Sequence, residues 1–142
     1  MTASKTPRTA RGFTLIELMI AIAILAIILG IAIPSYTQYV LKSGRAEAKG
    51  LLLNASQTLE RCYTRYSAYN DDDCPLQPGD TPMSTNDKYQ LAVEADAQTF
   101  TLTADPKGSQ TNDTDCGGFT LDHTGRRGAK GGFDASVIDE CW

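Results

Sequence analysis

Phe13 to Ile33, FTLIELMIAIAILAIILGIAI, is the stretch on which the reading of this chain turns. Its 21 residues hold one charge, Glu17, and one other polar side chain, Thr14. At a rise of ~1.5 Å per residue a helix over this stretch spans roughly 31 Å, close to the thickness of a bilayer's hydrocarbon core. It can therefore cross a membrane once. A cleaved secretory signal also places an apolar run behind basic residues, but its apolar part is only about 7 to 15 residues, followed by small residues at the cut. Here the run is longer and continues through Pro34-Ser35-Tyr36 into helix-like sequence, which predicts a retained anchor.

The residues on either side differ in charge. Residues 1–12 hold Lys5, Arg8 and Arg11 and no acid; of 13 basic side chains in the chain this leaves 10 against 17 acidic ones, a net charge of −7 from Phe13 onward. An acidic globular part argues against non-specific nucleic-acid binding as the main task, because affinity for a phosphate backbone depends on clustered Lys and Arg. Local basic patches remain compatible with it. Cys62, Cys74, Cys116 and Cys141 all follow the apolar segment, and none forms a zinc-like spacing. An even count beyond a membrane anchor fits disulfides in an oxidising compartment such as the periplasm, with three pairings open.

From residue 46 to 66, Ala48, Leu52, Ala55, Leu59, Cys62 and Tyr66 recur in steps of three and four and trace one face of a helix, with Glu47, Lys49, Glu60 and Arg61 at the solvent positions between them. No turn cluster separates this helix from the apolar segment. The pattern predicts one helix from 13 to about 66, bent near Pro34 and weak at Gly30. The stretch 67–87 is rich in turn formers and reads as loop. Tyr89, Leu91 and Val93 alternate with polar or small residues, as do Phe100, Leu102 and Ala104, and Phe119 and Leu121 form a shorter third run. These predict three antiparallel strands with one apolar face, covered by the helix at 48–66. The glycines at 125, 128, 131 and 132 predict a closing loop that ends at Cys141. The expected class is α+β, divided into a leader (1–12), a spanning half-helix (13–34), an amphipathic half-helix (35–66) and a globular part (67–142).

Glu17 is the sharpest chemical signal. A carboxylate inside an apolar membrane helix costs about 2.5 to 3.5 kcal/mol at the helix centre, less near its end. There is no positive side chain between Arg11 and Lys42 to offset it, whereas a new amine made by cutting before Phe13 would. Alternatively the acid reaches the headgroups from the first turn, where the helix dipole tolerates it.

Arg11-Gly12-Phe13-Thr14-Leu15-Ile16-Glu17-Leu18, behind a basic leader and opening an apolar run, resembles the class III signal of type IV pilins. The resemblance implies cleavage after Gly12 by a prepilin peptidase, N-methylation of Phe13, pairing of Glu17 with a neighbour's amine, and a helix bend at Pro34. Thr101-Leu102-Thr103-Ala104, Gly108-Ser109-Gln110, Cys116-Gly117, Thr120-Leu121-Asp122 and Cys141-Trp142 are similar to minor pilins of the PilE type, within the type IVa branch. The implied fold is the type IV pilin fold, a long N-terminal helix against a small antiparallel sheet with a C-terminal disulfide-closed loop. Within it the implied pairs are Cys62 with Cys74 and Cys116 with Cys141.

The implied function is that of a structural minor pilin, inserted once in the inner membrane with its C-terminal part periplasmic, then assembled into a surface pilus that serves adhesion and twitching. Its implied partners are other pilin subunits, the prepilin peptidase, an inner-membrane assembly platform and lipid, with nucleic acid left open. Two alternatives differ: a type II secretion pseudopilin, and a pilus-tip module that binds a surface or DNA. No cofactor, metal or small-molecule substrate is expected. Asp71, Asp72 and Asp73 lack the alternation of a calcium loop, and His123, the sole histidine, has no cysteine or serine motif near it.

Overall fold

The computed structural model describes residues 12–142, so the basic leader through Arg11 lies outside the described residues. The chain divides into two units, one extending to Gln38 and the other comprising Tyr39–Trp142. One helix, α1 (Leu15–Tyr66), runs through both. It stays helical at Gly30, Gly44 and Pro34, although proline lacks the N–H that would bond to the carbonyl four residues back. In the first unit every described residue is exposed, including fourteen large apolar side chains between Phe13 and Ile33. At roughly 1.5 to 3 kcal/mol per buried side chain of this size, covering them is worth on the order of 20 to 40 kcal/mol. Within the described residues α1 is the one helix long and apolar enough to cross a membrane.

In the second unit the helical face anticipated from spacing is buried at Ala48, Leu52, Ala55, Leu59 and Cys62, extended toward the N-terminus by Leu41, Gly44 and Arg45, whereas Tyr66, at the helix end, is only half-buried. Glu47 and Lys49, expected in solvent, are instead half-buried, Glu47 beneath the segment before the sheet and Lys49 against the C-terminal Trp142. Glu47 accepts from Ser84 Oγ at 3.1 Å and from Asn86 Nδ2 at 2.7 Å. The helix ends where Ser67 turns left-handed (φ 60°) and donates its N–H to the Tyr63 carbonyl at 2.7 Å.

The sheet is antiparallel in the order β1 (Tyr89–Ala95), β2 (Phe100–Pro106), β3 (Phe119–Asp122), β4 (Arg127–Ala129). Alternation sends Tyr89, Leu91, Val93, Phe100, Leu102, Ala104, Phe119 and Leu121 onto α1. Register explains how the bulky ring of Phe119 fits: the row Leu91, Ala104, Phe119, Ala129 flanks it with two alanines. The outer edge of β1 is occupied by the preceding loop, through Leu91 N–H to the Pro82 carbonyl (2.8 Å) and Gly79 N–H to the Val93 carbonyl (2.9 Å). This blocks edge pairing with another chain.

The region after Asp122 departs from the expected closing loop. It holds a fourth strand and a helix, α2 (Ala135–Cys141). A strand of three residues is too short to display alternation, and its pairing is imposed by a turn in which Asp122 Oδ1 accepts from the N–H groups of Thr124 (2.9 Å) and Arg126 (3.0 Å). Asp134 starts α2 by accepting from Ser136 N–H at 3.0 Å. Cys62 is bonded to Cys74, joining the end of α1 to the following loop, and Cys116 to Cys141, joining α2 to the segment before β3. Loops of 12 and 25 residues correspond to about 3 kcal/mol of chain-entropy stabilisation each.

A buried polar clasp fixes the N-terminal end of the packed helix. Arg45 forms a two-pronged pair with Asp113, Nε to Oδ2 at 2.7 Å and Nη2 to Oδ1 at 2.8 Å, with side chains 9% and 0% exposed. Asp113 also accepts from the Cys116 N–H at 3.2 Å. Beside it Gln110, fully buried, donates to the Leu41 carbonyl at 3.0 Å. A Cβ at position 44 would lie 2.0 Å from Gln110 Oε1, so any larger residue there would push the buried Gln110 amide out of its place.

Candidate functional site

Gly12, Phe13 and Thr14 precede α1 and are not helical; Phe13 is 87% exposed. Helix-compatible sequence follows directly, and the start is set by side chains. Glu17 N–H donates to Thr14 Oγ1 at 3.3 Å, and Thr14 N–H donates to Glu17 Oε2 at 3.4 Å. This is a reciprocal capping box. It gives the Glu17 carboxylate a partner in its own chain, which a search for an opposite charge overlooked. The Thr14-x-x-Glu17 spacing ahead of an apolar run was its signal.

The structure thus brings Gly12, Phe13 and Glu17 to one end of α1, while Pro34 lies within the helix and the four cysteines lie in the second unit. Asp72 and Asp73 are exposed, and His123 sits just past β3 with its ring edge-on to Phe100 at 6.4 Å.

A second grouping escaped the sequence reading. Arg126, Arg127 and Lys130 are exposed on and around β4, amid two aromatic rings. The Arg126 guanidinium lies 3.5 Å from the centroid of Phe133, and that of Arg127 lies 5.3 Å from Trp142. Trp142 is seated by its Nε1, which donates to the Gly128 carbonyl at 2.9 Å, and by edge contact with Phe119 at 5.7 Å. Lys49 Nζ donates to the Trp142 carbonyl at 2.9 Å, and burial first, then the positive charges of Arg45 and Arg127, push its pKa down. Lys130 adopts the left-handed region (φ 53°), where a lysine is uncommon. The signal available in sequence was three bases within five residues of an otherwise acidic half, interleaved with Phe133 and Trp142.

The family model for the type IV minor pilin ComP, DNA uptake sequence receptor, matches residues 34–120, more than half of the chain. The chain belongs to the type IV minor pilin family. A second model, the prokaryotic N-terminal methylation motif, matches residues 7–33 of this pilin. The major fimbrial protein FimA of Dichelobacter nodosus is 34% identical over 110 residues, covering 73% of this chain and 65% of its own. The major pilin PilE1 of Neisseria gonorrhoeae is 29% identical over 98 residues, covering 69% of this chain and 54% of its own. The minor pilin thus spans between about half and two thirds of the length of these relatives. In fold it is similar to the non-core minor pilin PilV of Neisseria meningitidis, with a TM-score of 0.50 at 21% identity, covering 68% of this chain and 93% of the other. Pilins are structural proteins rather than enzymes.

Proposed function

We propose that this minor pilin is made as a precursor, cut between Gly12 and Phe13 by a prepilin peptidase and methylated on the new Phe13 amine. It is held in the inner membrane by residues 13–34 with residues 67–142 in the periplasm, and an assembly platform draws it into a type IV pilus among other pilin subunits. The observation that carries this reading is the exposed, non-helical Gly12–Phe13 pair at the head of a helix whose apolar side chains nothing in the described residues covers. Lipid covers them before assembly and neighbouring helices afterwards. Glu17 pairs with the amine of a neighbour's Phe13, and Pro34 serves as the bend between the two halves of α1. Mass spectrometry of membrane-extracted protein is expected to find a chain beginning at N-methylated Phe13. An intact precursor in wild-type cells, or a cut beyond Ile33, overturns the reading. A type II secretion pseudopilin would share this processing; the match to a minor pilin family supports the pilus.

The basic face favours a second, compatible reading, contact with DNA, the ligand named in the description of the matched family. Arg126, Arg127 and Lys130 lie beyond the matched residues, and stacked guanidinium groups beside exposed ring edges suit a phosphate backbone. Duplex binding by the detergent-solubilised full chain is expected to weaken when all three become alanine, with the salt dependence falling by about one per lost phosphate contact. Unchanged affinity and salt slope would remove this face from the proposal.

A further inference from the structure

The bond between Gly12 and Phe13 lies just before α1, and nothing in the backbone stops the helix there. Phe13, Thr14 and Leu15 can all be helical, and an apolar medium penalises each free N–H at a helix start. Extension toward the N-terminus is therefore favoured unless those donors are satisfied. Thr14 and Glu17 satisfy two of them, Thr14 Oγ1 taking the Glu17 N–H and the Glu17 carboxylate taking the Thr14 N–H. The nearest upstream residue suited to capping is Gly12. A helix capped there would include Phe13 in its first turn and wrap the bond to be cut into helical backbone.

We propose that Thr14 is a positioning residue for maturation: with Glu17 it sets the start of α1 at Leu15 and keeps the Gly12–Phe13 peptide extended and open to an endopeptidase. The inference rests on the processing reading above. In the reaction water adds across the amide, the bond between the Gly12 carbonyl carbon and the Phe13 nitrogen breaks, and a carboxylate and an amine are left. The attacking oxygen must reach one face of that carbonyl, which an extended chain exposes. Glu17 thereby has a task in the precursor as well as in the filament, and glutamine at the same position could perform it, since the cap uses only an acceptor oxygen.

The test follows cleavage of the full-length precursor in membranes supplied with a prepilin peptidase, with rates normalised to carbonate-resistant, inserted protein and the new N-terminus read by mass spectrometry. Thr14→Val preserves shape and removes the hydroxyl, so cleavage is expected to slow about 2- to 30-fold, the range that loss of an N-cap produces. Thr14→Ser and Thr14→Asn both retain a capping oxygen and are expected to be cut at close to the wild-type rate. Equal rates for valine and threonine, with wild type cut after Gly12, overturn the proposal and leave the processing reading intact. Slow cleavage of both the valine and asparagine variants, with serine normal, also overturns it, because the peptidase would then be reading the hydroxyl rather than the cap. Failure of wild type to be cut at Gly12 overturns the processing reading itself.

Discussion

Glu17→Gln is expected to give a subunit that inserts and is processed normally but is missing from filaments. Glutamine keeps the acceptor that closes the capping box with Thr14, so the start of α1 is preserved. It loses the charge. If the carboxylate neutralises a neighbour's Phe13 amine between packed apolar helices, the variant leaves that amine buried without a counter-ion. Removing one partner of a buried pair costs about 3 to 5 kcal/mol, a loss of roughly 100-fold or more in incorporation. Glu17→Ala is the less clean test, since it removes the cap as well. The measurement compares membrane-fraction protein with protein in sheared filaments, wild type against Glu17→Gln, with the N-terminus verified in both. Normal incorporation of the glutamine variant would show that the carboxylate is not the assembly contact.

The second large effect is expected at the buried clasp. Arg45→Met removes the cation from a pair whose side chains are 9% and 0% exposed, at an expected cost of about 3 to 5 kcal/mol in unfolding free energy. The pH dependence identifies the cause. Burial raises the Asp113 pKa, but the hydrogen bonds from Arg45 and the Cys116 N–H outweigh it and hold the carboxyl below its ordinary value. Its contribution in wild type is therefore present above the ordinary carboxylate pKa of about 4 and lost as pH falls through the lower folded value. Without Arg45, burial dominates and raises that pKa, so the deficit of the variant is greatest near neutral pH and shrinks on acidification. Denaturant unfolding of detergent-solubilised protein at a series of pH values measures this. A pH-independent deficit would mean that lost packing, rather than a stranded carboxylate, is the cause. Arg45→Met with Asp113→Leu is expected to recover part of the loss but not all, because the Cys116 N–H then has no acceptor.

Much of this was legible because two periods dominate the chain. A 3.6-residue repeat from Ala48 to Cys62 and a two-residue repeat in β1 and β2 announce one buried face each, and a helix and a sheet with one apolar face apiece have few ways to satisfy both. Charge was less readable. Arg45 continues the buried stripe of Leu41, Ala48 and Leu52, and a base in that row signalled a buried partner, but Asp113 is 68 residues away. The Thr14–Glu17 cap was in reach of sequence, being local and three residues apart. Of the basic face only the three clustered bases were in reach, not their surface with two rings, because its shape depends on Trp142 being pinned to Gly128 across the turn that makes β4.

By itself the sequence determined the membrane-length helix, the α+β class, and the amphipathic face that meets the sheet, since these follow from runs and spacings along one dimension. Only the tertiary structure decided that β4 and α2 exist, that Gly44 packs against the Gln110 amide, and that Arg126, Arg127 and Lys130 share a surface with two rings. Short elements carry too few residues to show a period. Their positions come from contacts across long separations, in disulfides, turns and close approaches, that no local pattern records.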